Sequence, residues 1–255
     1  MKPVILCFGG HDPGGGAGVA ADIEAIFQTG SKAMPVITAI TSQNTQGVYG
    51  VKPVSAKWIL KQTEPLLADF KISAIKIGMC ATKDAINAIE QAIKLLPDLP
   101  MVLDPVVKSG SGDALADEDL SGEIRNKLLP LTSIVTPNMA ELRYLSKTEK
   151  LFEKIYDIQN LGCENLLVTN TDESNDKANI EHLFFFGSRQ LSFNYPKLNG
   201  IYHGSGCTLA ASLASFLAQG NSMQAAVKMA LEYTWRTLEQ SSVAGNRQML
   251  PERMV

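Results

Sequence analysis

Short β-branched runs alternate with longer stretches of helical period along most of this 255-residue chain, and that alternation leaves few folds open. The runs that predict strands fall at 4–8, 35–40, 74–77, 101–107, 133–136 and 165–169, each followed by a turn or a helix-compatible stretch. Strand and helix in repeated succession build a mostly parallel sheet. The expected fold is therefore α/β, a central and mostly parallel sheet flanked by helices on both faces, in one domain over residues 1–255. Sheets of this kind bind ligands beyond the carboxyl ends of their strands, so chemistry is sought there. Runs 183–186 and 190–193, separated by Gly187, Ser188 and Arg189, read instead as an antiparallel hairpin on one sheet edge. Two helices are expected near the end, over 207–218 and 222–239.

Composition narrows the partners. With 45% hydrophobic and 19% charged residues the chain supports a large packed core, while a formal charge of −3 offers no basic field for nucleic acid. Cys7, Cys80, Cys163 and Cys207 form no C-x-x-C pair and are too sparse for a disulfide framework, which points to a reducing, cytoplasmic setting. The first residues lack the cationic region of a signal peptide, and the apolar run at 209–218 is too short to span a bilayer. No membrane partner is expected.

Two glycine-rich segments stand at predicted helix starts. In Gly9-Gly10-His11-Asp12-Pro13-Gly14-Gly15-Gly16-Ala17-Gly18 the backbone is free to approach a ligand closely and present N–H groups, or simply to turn from strand to helix. Gly16-Ala17-Gly18-Val19-Ala20-Ala21 matches the spacing of a dinucleotide fingerprint, but the next strand ends in Thr41-Ser42-Gln43 without the ribose-binding acid. No glycine here precedes Lys-Ser or Lys-Thr, which excludes a Walker loop. The second segment, His203-Gly204-Ser205-Gly206-Cys207-Thr208, leads into a small-residue helix whose first N–H groups would converge as an anion hole. Cys207 sits where a helix dipole lowers a thiol pKa, so partial thiolate character is expected.

Acidic and polar residues mark several strand ends. Asp104-Pro105 follows Met-Val-Leu, and Thr136-Pro137-Asn138 follows the next run, with Glu141 three residues on. A helix cap explains Asn138 and Glu141 locally, while a site carboxylate explains them equally. Met79, at the end of Lys76-Ile77-Gly78-Met79, either walls a planar ligand or fills core. Thr41-Ser42-Gln43-Asn44-Thr45 offers amide donors and acceptors suited to a heterocycle's edge, or is ordinary loop.

Together, and in this order, these segments resemble the hydroxymethylpyrimidine/phosphomethylpyrimidine kinases of thiamin biosynthesis, within the ribokinase-like superfamily. The resemblance also takes in Val36-Ile37-Thr38-Ala39-Ile40 before the amide run and Ser111-Gly112-Asp113-Ala114-Leu115, and it covers most of the chain. It implies a sheet of about eight mostly parallel strands, ATP and Mg²⁺ as cofactors, a small pyrimidine substrate and a homodimer. By the same resemblance Gln43 bonds the pyrimidine, Asp22 lies near it, and Met79 and Gly10 line its pocket. Gly204, Ser205, Gly206 and Cys207 form the anion hole, with Cys207 as catalytic base. Asn138 and Glu141 organise metal and phosphates, often through water, and Asp104 supports them.

One departure stands out. Many relatives carry Lys-Gly-Gly-His where this chain has Thr169-Asn170-Thr171-Asp172, so a phosphate-binding cation is missing and Thr169 takes its place. Lys108 is the candidate substitute. Two other readings stay open: pyridoxal kinase, whose substrate is also a hydroxymethyl heteroaromatic, and a pyrimidine-binding module without turnover.

Overall fold

The computed structural model describes residues 2–106, 119–171 and 178–255. Lys108, Val107 at the end of the fifth expected run, the Ser111 to Leu115 motif and Asp172 lie outside the described residues. Nine strands among those described form one sheet in the order β3-β2-β1-β4-β5-β6-β7-β8-β9. β1 (Val4–His11), β2 (Lys32–Asn44), β4 (Ala74–Ile77), β5 (Met101–Leu103), β6 (Ile134–Val135) and β7 (Asn165–Val168) run parallel. β3 (Gly47–Pro53) and the hairpin β8 (Asn179–Phe186) and β9 (Arg189–Pro196) pair antiparallel at the two edges.

Each expected run contains a strand, although β5 stops at Leu103 and β6 is only Ile134–Val135, and the hairpin lies at the expected edge with longer strands than expected. β3 was not foreseen; its run holds Gly47, Gly50 and Pro53, residues that disfavour strands. It exists because β2 continues past the core to Asn44, whose side-chain oxygen accepts from the N–H groups of Gln46 (2.8 Å) and Gly47 (3.3 Å) and turns the chain back.

Strand residues alternate between two helical layers. Leu6, Phe8, Ile75, Ile77, Leu103 and Val135 face one cluster, which takes Ile86, Ile89 and Ile93 from α3 (Lys83–Ile93). Ile5, Cys7, Val102, Ile134 and Leu167 face the other, beneath α1 (Gly18–Gln28), α7 (Ser205–Ala218) and α8 (Met223–Glu239). Between these come α2 (Ala56–Asp69), a short α4 (Ser121–Glu123) that runs on in irregular turns to Leu131, α5 (Met139–Leu145) and α6 (Leu151–Gln159). Each aliphatic side chain removed from water contributes about 1.5–3 kcal/mol. Ala210, Ala211, Ser212, Ala214 and Ser215 are all fully buried, and their small size lets α7 lie close on the sheet.

No helix among the described residues is long and apolar enough to cross a membrane. The four cysteines are unpaired.

Candidate active site

The carboxyl ends of β1, β2, β4, β5, β6 and β7 open into one cavity of about 640 Å³. Gly10, Gln43 and Met79 line one end, Asp104, Asn138 and Glu141 the middle, and Thr169, His182 and Trp235 the other. The register of β1 on β2 shifts between Gly9 and Gly10, where β1 reaches the cavity.

The two glycine segments meet backbone to backbone. Gly18 has φ +59°, and a Cβ there would lie 2.1 Å from the Gly10 carbonyl oxygen. Gly204 has φ +84°, and a Cβ there would lie 1.9 Å from the Gly16 carbonyl oxygen. Only glycine combines that conformation with that approach. A side-chain pair locks the same junction: His203 Nε2 lies 2.8 Å from Asp12 Oδ2, and the N–H groups of Gly14 (2.8 Å) and Ala17 (2.9 Å) also donate to Asp12. Burial alone would raise Asp12, but His203 and those N–H groups hold its carboxyl below the usual range.

Gly204 caps α7 without a side-chain bond, and the first helical bond runs from Thr208 N–H to Gly204 O. The N–H groups of Ser205, Gly206 and Cys207 precede it at the positive end of the helix dipole. All three residues line the cavity. A Cβ on Gly206 would sit 3.6 Å from Asp104 Oδ1, so the helix start and that carboxylate face each other closely.

Burial pushes Asp104 up to about 6, with Lys76 opposing and Asp22 adding to the rise, and its Oδ2 is buried without a hydrogen-bond partner. Burial and then the Asp104 charge push Glu141 up to about 8. Glu141 Oε2 accepts from Asn138 N–H at 2.9 Å while Asn138 Oδ1 accepts from the N–H groups of Ala140 and Glu141, so the capping explanation holds in full. It does not exclude the other one, since Glu141 also lines the cavity near a carboxylate that has one oxygen without a hydrogen-bond partner. Two buried acids with an orphaned oxygen fit a hard cation such as Mg²⁺, which binds through one or two carboxylates together with substrate phosphates. Among the described residues no group of three or more His, Cys, Asp or Glu makes a metal cage by itself.

Two expectations change. Cys207 is not poised as a thiolate: burial pushes its thiol up to about 12, the carboxylates of Asp104 and Asp22 add to this, and Lys76 and the Gly18 N–H only partly offset it. Desolvation is the largest cause, and the neighbouring acids add to it. Asp22 does not line the cavity; it is fully buried behind Lys76, whose Nζ lies 2.9 and 3.0 Å from its two carboxylate oxygens.

Lys76 was missed as a site residue. It is 1% exposed, lines the cavity, and is held charged because the pull of Asp22 overrides burial. The signal available was a lysine inside Ala74–Ile77, a run too apolar for an exposed strand. Thr169 lines the cavity and donates its N–H to Pro137 O at 2.9 Å, and Asn170 adopts φ +51°.

A model of the phosphomethylpyrimidine kinase family matches residues 12–251. The chain belongs to this family. It is 34% identical, over 96% of its length, to a probable thiamine biosynthetic bifunctional enzyme of Oryza sativa subsp. japonica, and it spans about half (46%) of that longer protein. It is 31% identical to a hydroxymethylpyrimidine/phosphomethylpyrimidine kinase of Haemophilus influenzae, covering 90% of this chain and 88% of that one.

Among solved structures, a phosphomethylpyrimidine kinase of Clostridium difficile superposes with TM-score 0.80 at 28% identity, over 93% of this chain and all of that one (100%). An ADP complex of Bacillus subtilis pyridoxal kinase superposes with TM-score 0.89 at 23% identity, over 99% and 98% of the two chains, and shares the ribokinase-like fold.

Proposed function

We propose that the protein transfers the γ-phosphoryl group of ATP to the hydroxymethyl pyrimidine of thiamin biosynthesis, to its monophosphate, or to both in turn. One observation carries this reading: a single cavity joins an apolar, amide-edged wall (Gly10, Met79, Gln43) to a glycine-led helix start that faces two buried acids. A planar ring and a polyphosphate are the ligands that suit those two halves.

In this reading the Gln43 amide bonds the ring edge and Met79 covers its face. The N–H groups of Ser205, Gly206 and Cys207 meet the charge that develops on the transferred group. Glu141, with Asp104 through water, would hold Mg²⁺, which when bound neutralises phosphate charge. Asn138 orients Glu141, and Thr169 borders the nucleotide. Asp22 acts through Lys76, the interior cation that balances Asp104.

Transfer through a loose transition state asks mainly for positioning. Cys207 therefore serves as a neutral thiol bonded to Asp104. As the new O–P bond forms and the ADP oxygen leaves, the acceptor proton passes to sulfur while the thiol proton passes to Asp104. The reading includes a cytoplasmic, dimeric enzyme.

Pyridoxal is the second acceptor to consider, because the flat wall and single amide suit either hydroxymethyl ring. An ADP-release assay with both pyrimidine forms and pyridoxal, across a Mg²⁺ titration, tests all of this. Pyrimidine turnover that requires Mg²⁺ supports the proposal, and faster pyridoxal turnover reassigns the acceptor. Pyrimidine binding without ADP release leaves a binding module.

A further inference from the structure

Arg253 lies beyond the residues matched by the family, 12–251, yet it is only 3% exposed. A guanidinium is stable in such a place only if its donors are met, so its partners show what it is for. Nε donates to Thr208 Oγ1 at 2.9 Å, Nη2 to Gly16 O at 2.5 Å, and Nη1 to Glu24 Oε2 at 2.7 Å. Those acceptors belong to the first turn of α7, the first glycine segment and α1.

Two of these contacts end on the glycine junction. Gly16 O is the atom that a Cβ on Gly204 would strike. Thr208 Oγ1, while accepting from Arg253, donates to Gly204 O at 2.9 Å, and a hydroxyl polarised by a cation is a stronger donor. One side chain thus grips both backbones whose separation sets the aim of the N–H groups at 205–207. Its own backbone is tied down independently: Glu252 N–H donates to Thr237 O at 2.9 Å and Tyr233 Oη donates to Arg253 O at 2.8 Å.

We propose that Arg253 is a positioning residue for phosphoryl transfer, clamping the Gly16 and Gly204 carbonyls so that the start of α7 is held ready for the transferred group. The proposal rests on the anion-hole role given to α7. Its contribution falls on kcat, because it touches neither the ring-binding wall nor the acceptor.

The experiment measures steady-state kinetics and amide exchange at 204–207 in wild type, Arg253→Met, Arg253→Lys and Arg253→Gly. A displaced anion hole costs about 10- to 100-fold, so Arg253→Met is expected to lose that much kcat with acceptor KM within about threefold, and to exchange faster at 204–207. Arg253→Lys regains part of the loss. Added guanidinium ion at millimolar concentration raises turnover of Arg253→Gly and not of wild type, which a role in stability alone would not produce. A folded Arg253→Met protein with kcat within about twofold of wild type and unchanged exchange overturns the proposal. If Arg253→Met does not fold, Thr208→Val decides, since it removes the relay and keeps the cation: lower kcat with faster exchange supports the clamp, and wild-type values overturn it. A wild type inactive on every acceptor removes the kinase reading alone, and exchange at 204–207 then decides for or against the clamp.

Discussion

The two ends of the cavity are built differently. At the Gly10 end, buried hydroxyls pin neighbouring backbones: Thr38 Oγ1 donates to Met79 O at 2.5 Å and Thr41 Oγ1 to His11 O at 2.9 Å. A Cβ on Gly10 would come within 2.8 Å of Met79 Sδ, so Met79 packs directly on the β1 backbone there. At the Thr169 end the walls come from the antiparallel hairpin and α8, with Tyr195 and Trp235 rings 6.2 Å apart and Asn170 N–H meeting His182 Nδ1 at a long 3.3 Å. Under the proposed function the tightly pinned end would read which ring enters, and the looser, aromatic end would take the nucleotide.

The largest effect is expected where the ends join. Gly204→Ala places a Cβ on the Gly16 carbonyl and forces an unfavourable φ, so turnover should fall by at least about 100-fold with both ends affected. Gly206→Ala meets only ordinary contact and should cost far less, while Gly206→Val, which also blocks phosphate approach, falls between. Equal kcat for Gly204→Ala and Gly206→Ala would show that the junction is not a constraint.

A paired substitution tests whether the ends are separable. Gln43→Ala removes one hydrogen bond at the tightly pinned end, worth about 1–3 kcal/mol, and should raise acceptor KM by a matching factor while ATP KM stays put. Thr169→Lys adds a cation at the other end and should lower ATP KM by a smaller factor without touching acceptor KM. If either change moves both constants together, the two ends are one unit.

The parts of this arrangement that were legible in the sequence are those with local causes. Alternating runs located the parallel strands, and Asp104, Asn138 and Glu141 stood out because strand ends are read from neighbours in the chain. Arg253 and Gly16 are 237 positions apart, and His203 and Asp12 are 191 apart, so nothing local announces either contact. Lys76 was hidden by the ordinary rule that lysines are exposed, and only its partner Asp22 makes burial tolerable. For Cys207 the helix dipole was visible, but its burial and its closeness to Asp104 and Asp22 were not.

Cys207 is accordingly expected to have a modest role. General-base catalysis typically contributes about 10²–10⁴-fold; a thiol raised to about 12 is not a standing base, so Cys207→Ala should lose no more than about tenfold in kcat and Cys207→Ser less. Alkylation of Cys207 should stay slow at neutral pH, keep accelerating above pH 9, and slow further when ATP is bound. A rate that levels off below pH 8 would restore the thiolate.

The smallest effect is on stability and separates the ends by pH. Burial lowers His182 to about 4, with Glu181 pulling weakly the other way. The unfolded chain takes up this proton near the ordinary 6.5, which the folded protein resists until about 4, so stability present above 6.5 is lost as pH falls through that window. Protonated Nδ1 can no longer accept from Asn170 N–H, and Asn170 is already held at φ +51°. Acid should therefore loosen the Thr169 end first. Amide exchange at 168–171 is expected to rise between pH 6.5 and 4 before exchange in β1 or β2 does, and His182→Asn should flatten the fall in Tm over the same window. Simultaneous loosening of β1 would show that the two ends share one stability, whatever their difference in packing.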